Sequence, residues 1–241
     1  MNKYIAFLIA CIASSAFAQT VQIDAAAESL ELISVKNMPL GLPVGELDAM
    51  QRSIATKAPD GISTIERSPE KITGFFTHLN TAKASLANPP ETGAGLQKDV
   101  GHAPQAHRDL SALSLRFKIA DFDPGSLIAA IPVGTKIDGS WTGLDRFFRF
   151  ENDGVVRLTE YDLAATGGKF FMAKEAVNAN VNGKPAISKV FTGANGESIE
   201  EVVWVKGHKF YMLTFSPDPA AATQLKGSFQ ISALSLASRV R

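Results

Sequence analysis

Paired carboxylates are the first residues in this sequence that could do chemistry. The close pairs are Asp121 with Asp123, Glu160 with Asp162, and Glu200 with Glu201. A glycoside hydrolase needs two acids about 5–10 Å apart across one cleft. On a β-strand, Glu160 and Asp162 would share one face, because side chains alternate with a period of two. These two acids, together with the histidines, define one hypothesis for function, a cell-envelope hydrolase.

The candidate metal ligands are the four histidines His78, His102, His107 and His208. His102 and His107 are close in sequence, and Asp109 could supply a third ligand. A transition-metal site needs three or four ligands that neighbouring groups hold in place. Residues 91–109 instead have the Gly- and Pro-containing composition of a linker. We therefore expect no metal site there, and no motif in the sequence indicates a cofactor.

Residues 68–71 match the S-x-x-K pattern, in which a lysine activates a nucleophilic serine. The S-D-N and K-T-G elements that accompany this pattern in serine β-lactamases are absent from the sequence. Ser68 is a favourable N-cap, and Pro69 suits the first position of a helix. We therefore interpret these residues as the start of a helix.

The composition is that of a folded protein with balanced charge. The chain has 241 residues, of which 45% are apolar and 20% charged, with 24 basic and 24 acidic side chains. These values argue against a disordered or collagen-like chain. They also give no positive field that would attract nucleic acid, so we expect no nucleic-acid partner.

The first 18 residues have the pattern of a secretory signal peptide. A positive start precedes the apolar residues 4–17, and an A-x-A cleavage site, Ala16-Phe17-Ala18, lies before Gln19. The alternatives are an uncleaved anchor and a lipoprotein attached at Cys11. We expect cleavage after Ala18, a periplasmic or secreted protein, and no membrane span in the remaining chain. Cys11 is the only cysteine, so no internal disulfide can form.

Residues 19–100 have short helical patterns between prolines, and the clearest is at 69–87. Its apolar stripe consists of Ile72, Phe75, Phe76 and Leu79, at helical spacing. Weaker helical patterns cover residues 25–33 and 45–55.

From residue 110 the hydrophobic period changes to two, which indicates strands. The predicted strands are 113–119, 144–151, 155–163, 168–181, 186–192, 199–206, 209–216 and 229–236, with a short helix at 218–226. Asn182-Gly183 and Gly207-His208 are predicted as type I′ and type II′ hairpin turns. The pattern predicts an α+β fold: an antiparallel β-meander sheet of about six to eight strands in residues 101–241. We expect this sheet to pack on the helical part, 19–100, within one structural domain.

The hairpin of 199–206 and 209–216 is apolar on both faces. Pairing across its two-residue turn places Trp204 opposite Tyr211, and Val202 and Leu213 on the same face. One helix can cover only one of the two faces. We therefore expect the Trp204 face to border a groove for an envelope protein or an apolar small molecule. This makes a non-catalytic exported binding protein the favoured hypothesis, with the hydrolase as the alternative.

Overall fold

The computed structural model describes residues 29–34, 63–65, 68–87, 105–150, 154–193, 197–217 and 231–241. The strands are β1 Leu30–Ile33, β2 Ser63–Ile65, β3 Ser126–Ile137, β4 Ser140–Phe150, β5 Gly154–Asp162, β6 Phe170–Ala173, β7 Ala179–Val181, β8 Lys184–Thr192, β9 Ser198–Lys206 and β10 Lys209–Pro217. The helices are α1 Pro69–Ala87 and α2 Ala233–Ala237. The signal peptide predicted at 1–18, the helices predicted at 45–55 and 218–226, and the part of the predicted linker before residue 105 lie outside the described residues.

Helix α1 confirms the helix predicted from the sequence. It begins at Pro69, directly after Ser68, and ends before Asn88-Pro89-Pro90, which cannot continue a helix. Ile72, Phe75 and Leu79 of the predicted stripe are buried against the sheet, whereas Phe76 is about a third exposed. The stripe is therefore narrower than predicted.

The α+β fold with its antiparallel sheet is confirmed. The main sheet has the strand order β2-β8-β9-β10-β5-β4-β3, with β7 paired to β8. All neighbours are antiparallel except β2, which is parallel to β8. The chain forms two three-stranded meanders, β3-β4-β5 and β8-β9-β10, which join along β5 and β10. A second, two-stranded parallel sheet pairs β1 with β6.

The predicted turns have the expected backbone. Asn182 and Gly183 both have positive φ, 50° and 83°, as a type I′ turn requires. Gly207 has φ 62°, and the two strands that this turn joins pair Trp204 with Tyr211 as predicted. A further turn at Asp138-Gly139, with φ 48° and 81°, joins β3 to β4 and was not predicted.

Strand β3 lies at one edge of the main sheet and contains Pro132. No strand was predicted there from the sequence. Proline cannot donate a hydrogen bond to a strand ladder. At a sheet edge this donor is not needed. The backbone of Ala130 exchanges two hydrogen bonds of 2.7 Å with the backbone of His107, on the side away from β4.

Two of the predicted elements form a different structure because of long-range contacts. Residues 30–33, predicted as helix, form β1 because they pair with β6. Residues 113–119, predicted as a strand, follow the short helical turn Leu110–Ala112 and contain a single bridge, from Leu115 to Trp141.

Two other predictions, in the C-terminal half, were also wrong. The strand predicted at 168–181 is interrupted by a helical turn, Lys174–Ala176, which separates β6 from β7. The last strand, predicted at 229–236, is instead helix α2 from Ala233. Ser232 and Ser235 form a capping box at its start, and this local hydrogen bonding favours a helix.

Each face of the main sheet is covered by different elements. On the face that we call the α2 face, strand residues pack against α2 and residues 120–122. On the opposite α1 face, α1 covers one end of the strands, and β1 and β6 cover the other end. No helix among the described residues is long and apolar enough to cross a membrane.

Candidate functional site

The carboxylate of Glu160, a candidate acid, is buried and hydrogen-bonded inside the α2 face. Its side chain is 0% exposed. It accepts hydrogen bonds from the Ala120 N–H (2.9 Å), Arg146 Nη2 (2.7 Å) and Lys209 Nζ (3.2 Å). Arg146 Nη2 also donates to the Ala120 carbonyl oxygen at 3.0 Å, and Lys209 Nζ donates to the Lys118 carbonyl oxygen. The cluster therefore fastens residues 118–120 to the sheet.

Asp162, the second candidate acid, is also used in local structure. Its Oδ1 accepts hydrogen bonds from the backbone N–H groups of Ala164 (3.0 Å) and Ala165 (3.3 Å). These groups begin the helical turn Ala164–Thr166. The structure therefore does not place Glu160 and Asp162 as two free acids across a cleft.

The three described histidines lie on separate elements. His78 is on α1, the His107 backbone bridges to β3, and His208 Nδ1 lies 3.2 Å from Ser29 Oγ. His102 is outside the described residues. Within the described ranges, no group of three His, Cys, Asp or Glu side chains is placed to hold a metal ion.

The residues predicted to bind a ligand lie in the core of the α2 face. These are Val202, Trp204, Tyr211 and Leu213, all buried. The rings of Trp204 and Tyr211 stack with centroids 5.0 Å apart, and Trp204 is 1% exposed. Helix α2 packs in the same cluster through Leu236 and its alanines.

The α1 face carries a polar strip across its centre. Its members are Asp145 on β4, Arg157 and Thr159 on β5, Thr214 on β10, Glu201 on β9 and Lys189 on β8. On β5, Val155 belongs to the cluster under α1 and Tyr161 to the cluster under β1 and β6. Arg157 and Thr159 lie between them along β5, so the strip lies between the two apolar clusters of the α1 face.

The strand register makes the strip a set of direct neighbours. Asp145 lies opposite Thr159, and Arg157 lies opposite Thr214. Glu201 is paired with Thr214 on one side and with Lys189 on the other. Burial lowers the pKa of Lys189 to about 8, although the charge of Glu201 opposes this shift.

Helix α1 contacts the strip at two positions. His78 Nδ1 lies 3.4 Å from Asp145 Oδ2, and the ring of His78 meets Phe147 edge-on. Burial lowers the pKa of His78, with Asp145 opposing the shift and Arg157 adding to it. The guanidinium of Arg157 lies 5.7 Å from the ring centroid of Phe75, and its Nη2 donates to Thr214 Oγ1 at 3.2 Å.

Three buried polar atoms of the strip lack a hydrogen-bond partner within the described part of the chain. They are Asp145 Oδ1, Arg157 Nε and Thr159 Oγ1, and a fourth such atom, Arg146 Nε, belongs to the cluster around Glu160. A buried polar atom without a partner costs about 1–3 kcal/mol, so natural proteins seldom leave three on adjacent residues. The three atoms are one acceptor, one donor and one hydroxyl, on the cross-strand partners Asp145 and Thr159 and on Arg157, two residues from Thr159.

The sequence analysis did not single out the polar strip. The available signal was the presence of Asp145, Arg157 and Thr159 inside strands that are otherwise mostly apolar. Burying such side chains in a covered sheet costs free energy unless they are hydrogen-bonded or paired with an opposite charge. Comparisons of the chain with protein-family models, with curated proteins and with solved structures find no match.

Proposed function

We propose that this chain is an exported, non-catalytic binding protein, and that its binding surface is the polar strip of the α1 face. The observation that carries the proposal is the set of unpartnered atoms on Asp145, Arg157 and Thr159. A ligand that pairs with them would recover the free energy that their burial costs. Export is proposed from the signal-peptide pattern of residues 1–18.

The hydrolase alternative receives less support from the arrangement of the acids. Glu160 is held by three donors, and Asp162 caps a helical turn. A general acid or nucleophile must instead reach the scissile bond of its substrate.

The role predicted for Trp204, Tyr211, Val202 and Leu213 in binding remains a prediction. Helix α2 covers these side chains, so a ligand could reach them only if α2 moved away. Asp145 and Thr159 of the polar strip are 4% and 3% exposed, as buried as Tyr211 at 4%, whereas Arg157 and Lys189 beside them are half-buried. We place the proposed surface at the strip because its buried polar atoms lack partners among the described residues, and because a ligand could approach along these two half-buried side chains.

A thermal-shift screen of the purified mature protein tests this proposal. The screen should include small polar metabolites, short peptides and an envelope lipid extract. We expect at least one ligand to raise the melting temperature of the wild type, by an amount that grows with ligand concentration. Asp145→Asn and Thr159→Val should reduce this shift, whereas Arg149→Gln, at an exposed position of β4, should not.

Two results would contradict the proposal. One is a ligand shift that Asp145→Asn and Thr159→Val leave unchanged, because the ligand would then bind elsewhere. The other is hydrolysis of an ester, peptide or glycoside substrate that is lost in Glu160→Gln or Asp162→Asn, which would support the alternative.

A further inference from the structure

Arg157 is a largely enclosed cation without a carboxylate partner. Its guanidinium lies over Phe75 and donates one hydrogen bond to Thr214. Among the residues that the structure describes, no carboxylate lies within 4.0 Å of it. Enclosed charges in proteins are normally paired, because leaving water is costly for an unpaired ion. The position therefore favours an anion as the bound group.

The donor geometry around Arg157 suits a carboxylate. A guanidinium binds carboxylates with two parallel N–H groups, and the Nε–H of Arg157 has no partner among the residues that the structure describes. Thr159 Oγ1, two residues along the same face of β5, can donate a further hydrogen bond. Lys189, in the same cross-strand row, lies opposite the carboxylate-bearing Glu201, whereas Arg157 lies opposite Thr214.

Asp145 restricts which carboxylates can bind. Its Oδ1 is an unpartnered acceptor, and it lies one strand away from Thr159. A simple carboxylate would leave this oxygen unpaired and would be repelled by its charge. A carboxylate with a hydroxyl or amino group on the adjacent carbon would donate a hydrogen bond to Asp145 while Arg157 holds its anionic end.

We infer that the polar strip binds a small carboxylate that carries a hydroxyl or amino group next to the carboxyl carbon. Arg157 and Thr159 bind the carboxylate, and Asp145 accepts from the neighbouring hydroxyl or amine. This inference rests on the proposed function and specifies its ligand class. The side chain of His78, about a third exposed beside Asp145, marks the side from which the ligand enters.

Four matched probes test the inference by ¹H–¹⁵N NMR of the full mature protein, observed at the Arg157 Nε–H. Glycolate and glycine carry both groups, acetate lacks the donor, and glycolamide lacks the charge. We expect saturable shifts with glycolate and glycine, binding of acetate weaker by about tenfold, and no binding of glycolamide.

Variants assign the two ends of the ligand. Arg157→Gln should abolish binding of glycolate, observed through backbone amides of β5, while the control Arg149→Gln should bind as the wild type does. Asp145→Asn should reduce the preference for glycolate over acetate. Arg157→Lys, which keeps the charge, provides a second variant if Arg157→Gln does not give a folded spectrum.

The inference is overturned if none of the four probes shifts the wild-type spectrum, or if glycolate binds Arg157→Gln and the wild type equally. Failure of the carboxylates does not decide the proposed function. If another ligand from the thermal-shift screen still depends on Asp145 and Thr159, the ligand class is wrong and the binding surface stands. If the screen also fails, both are wrong.

Discussion

His78 links α1 to the polar strip through a contact that depends on its protonation state. Its ring packs against Phe147, and its Nδ1 faces Asp145. Burial outweighs the attraction of Asp145 and lowers the pKa of His78 below its ordinary value. The neutral ring is therefore the form that the folded protein prefers.

We predict that His78 makes the protein less stable in mild acid. With a lowered folded-state pKa, the contribution of His78 is fully present above about pH 6.5 and is lost as the pH falls through the folded value. Each unit of lowering corresponds to about 1.4 kcal/mol. Urea unfolding from pH 7 to pH 5 should show a steeper loss of stability in the wild type than in His78→Gln. Parallel curves for the two proteins would contradict this.

The ion pair of Glu160 with Arg146 should respond to mutation quite differently from a surface pair. Glu160→Gln leaves Arg146 and the partly buried Lys209 without an anion, so we predict a loss of about 3–5 kcal/mol in the free energy of unfolding. The control is Glu31→Gln, which breaks an exposed pair with Lys169 at 3.8 Å. It should cost less than about 1 kcal/mol. Equal losses in chemical denaturation would show that the Glu160 cluster is not a buried pair.

At the scale of elements, α1 is the part that closes the α1 face. Phe75 and Phe76 are neighbours on this helix, yet Phe75 is 2% exposed and Phe76 is 36% exposed. We predict that Phe75→Ala lowers the free energy of unfolding by about 3–5 kcal/mol, because it leaves a cavity over Phe147. Phe76→Ala should cost less than about 1 kcal/mol. Urea titrations followed by circular dichroism measure both values, and a larger loss for Phe76→Ala would mean that the helix is rotated.

Elements fixed by local signals could be predicted from the sequence, and elements fixed by distant contacts could not. Helix α1 has its own cap and terminating prolines, and the turn at Asn182-Gly183 needs residues that accept positive φ. Strand β1 exists because β6 lies beside it, and α2 depends in part on Glu200, whose Oε2 accepts from the Ala233 N–H at 2.7 Å. No short sequence window contains both partners of such contacts.

At the scale of the whole molecule, dependence on distant contacts also explains why the candidate site lies on the α1 face, whereas the sequence pointed to the side chains of the α2 face. The register between Trp204 and Tyr211 followed from one turn and is confirmed. Which face each helix covers depends on how the entire chain is arranged. The polar strip draws residues from five strands, from Asp145 on β4 to Lys189 on β8, so no local motif could reveal it.

Export should also leave the chain without its first 18 residues. We predict that intact-mass analysis of the envelope fraction finds a protein that begins at Gln19, because Ala16 and Ala18 fit the signal-peptidase pattern. The lipoprotein alternative would give a lipid-modified chain that begins at Cys11. Either that product or an uncleaved chain would contradict the prediction.

Strand β3 has a consequence for how the protein behaves at high concentration. An open strand edge is a template on which other copies can aggregate. On the outward side of β3, Ala130 is already bonded to His107, Pro132 has no N–H to donate, and Gly134 has φ 79° beside a bulge. On that side the N–H of Ala130 is already bonded and Pro132 has no N–H, so neither position can donate to an incoming strand. We expect Pro132→Val to begin to self-associate at a lower protein concentration than the wild type, as measured by light scattering. We therefore predict that the irregularities of β3 limit aggregation.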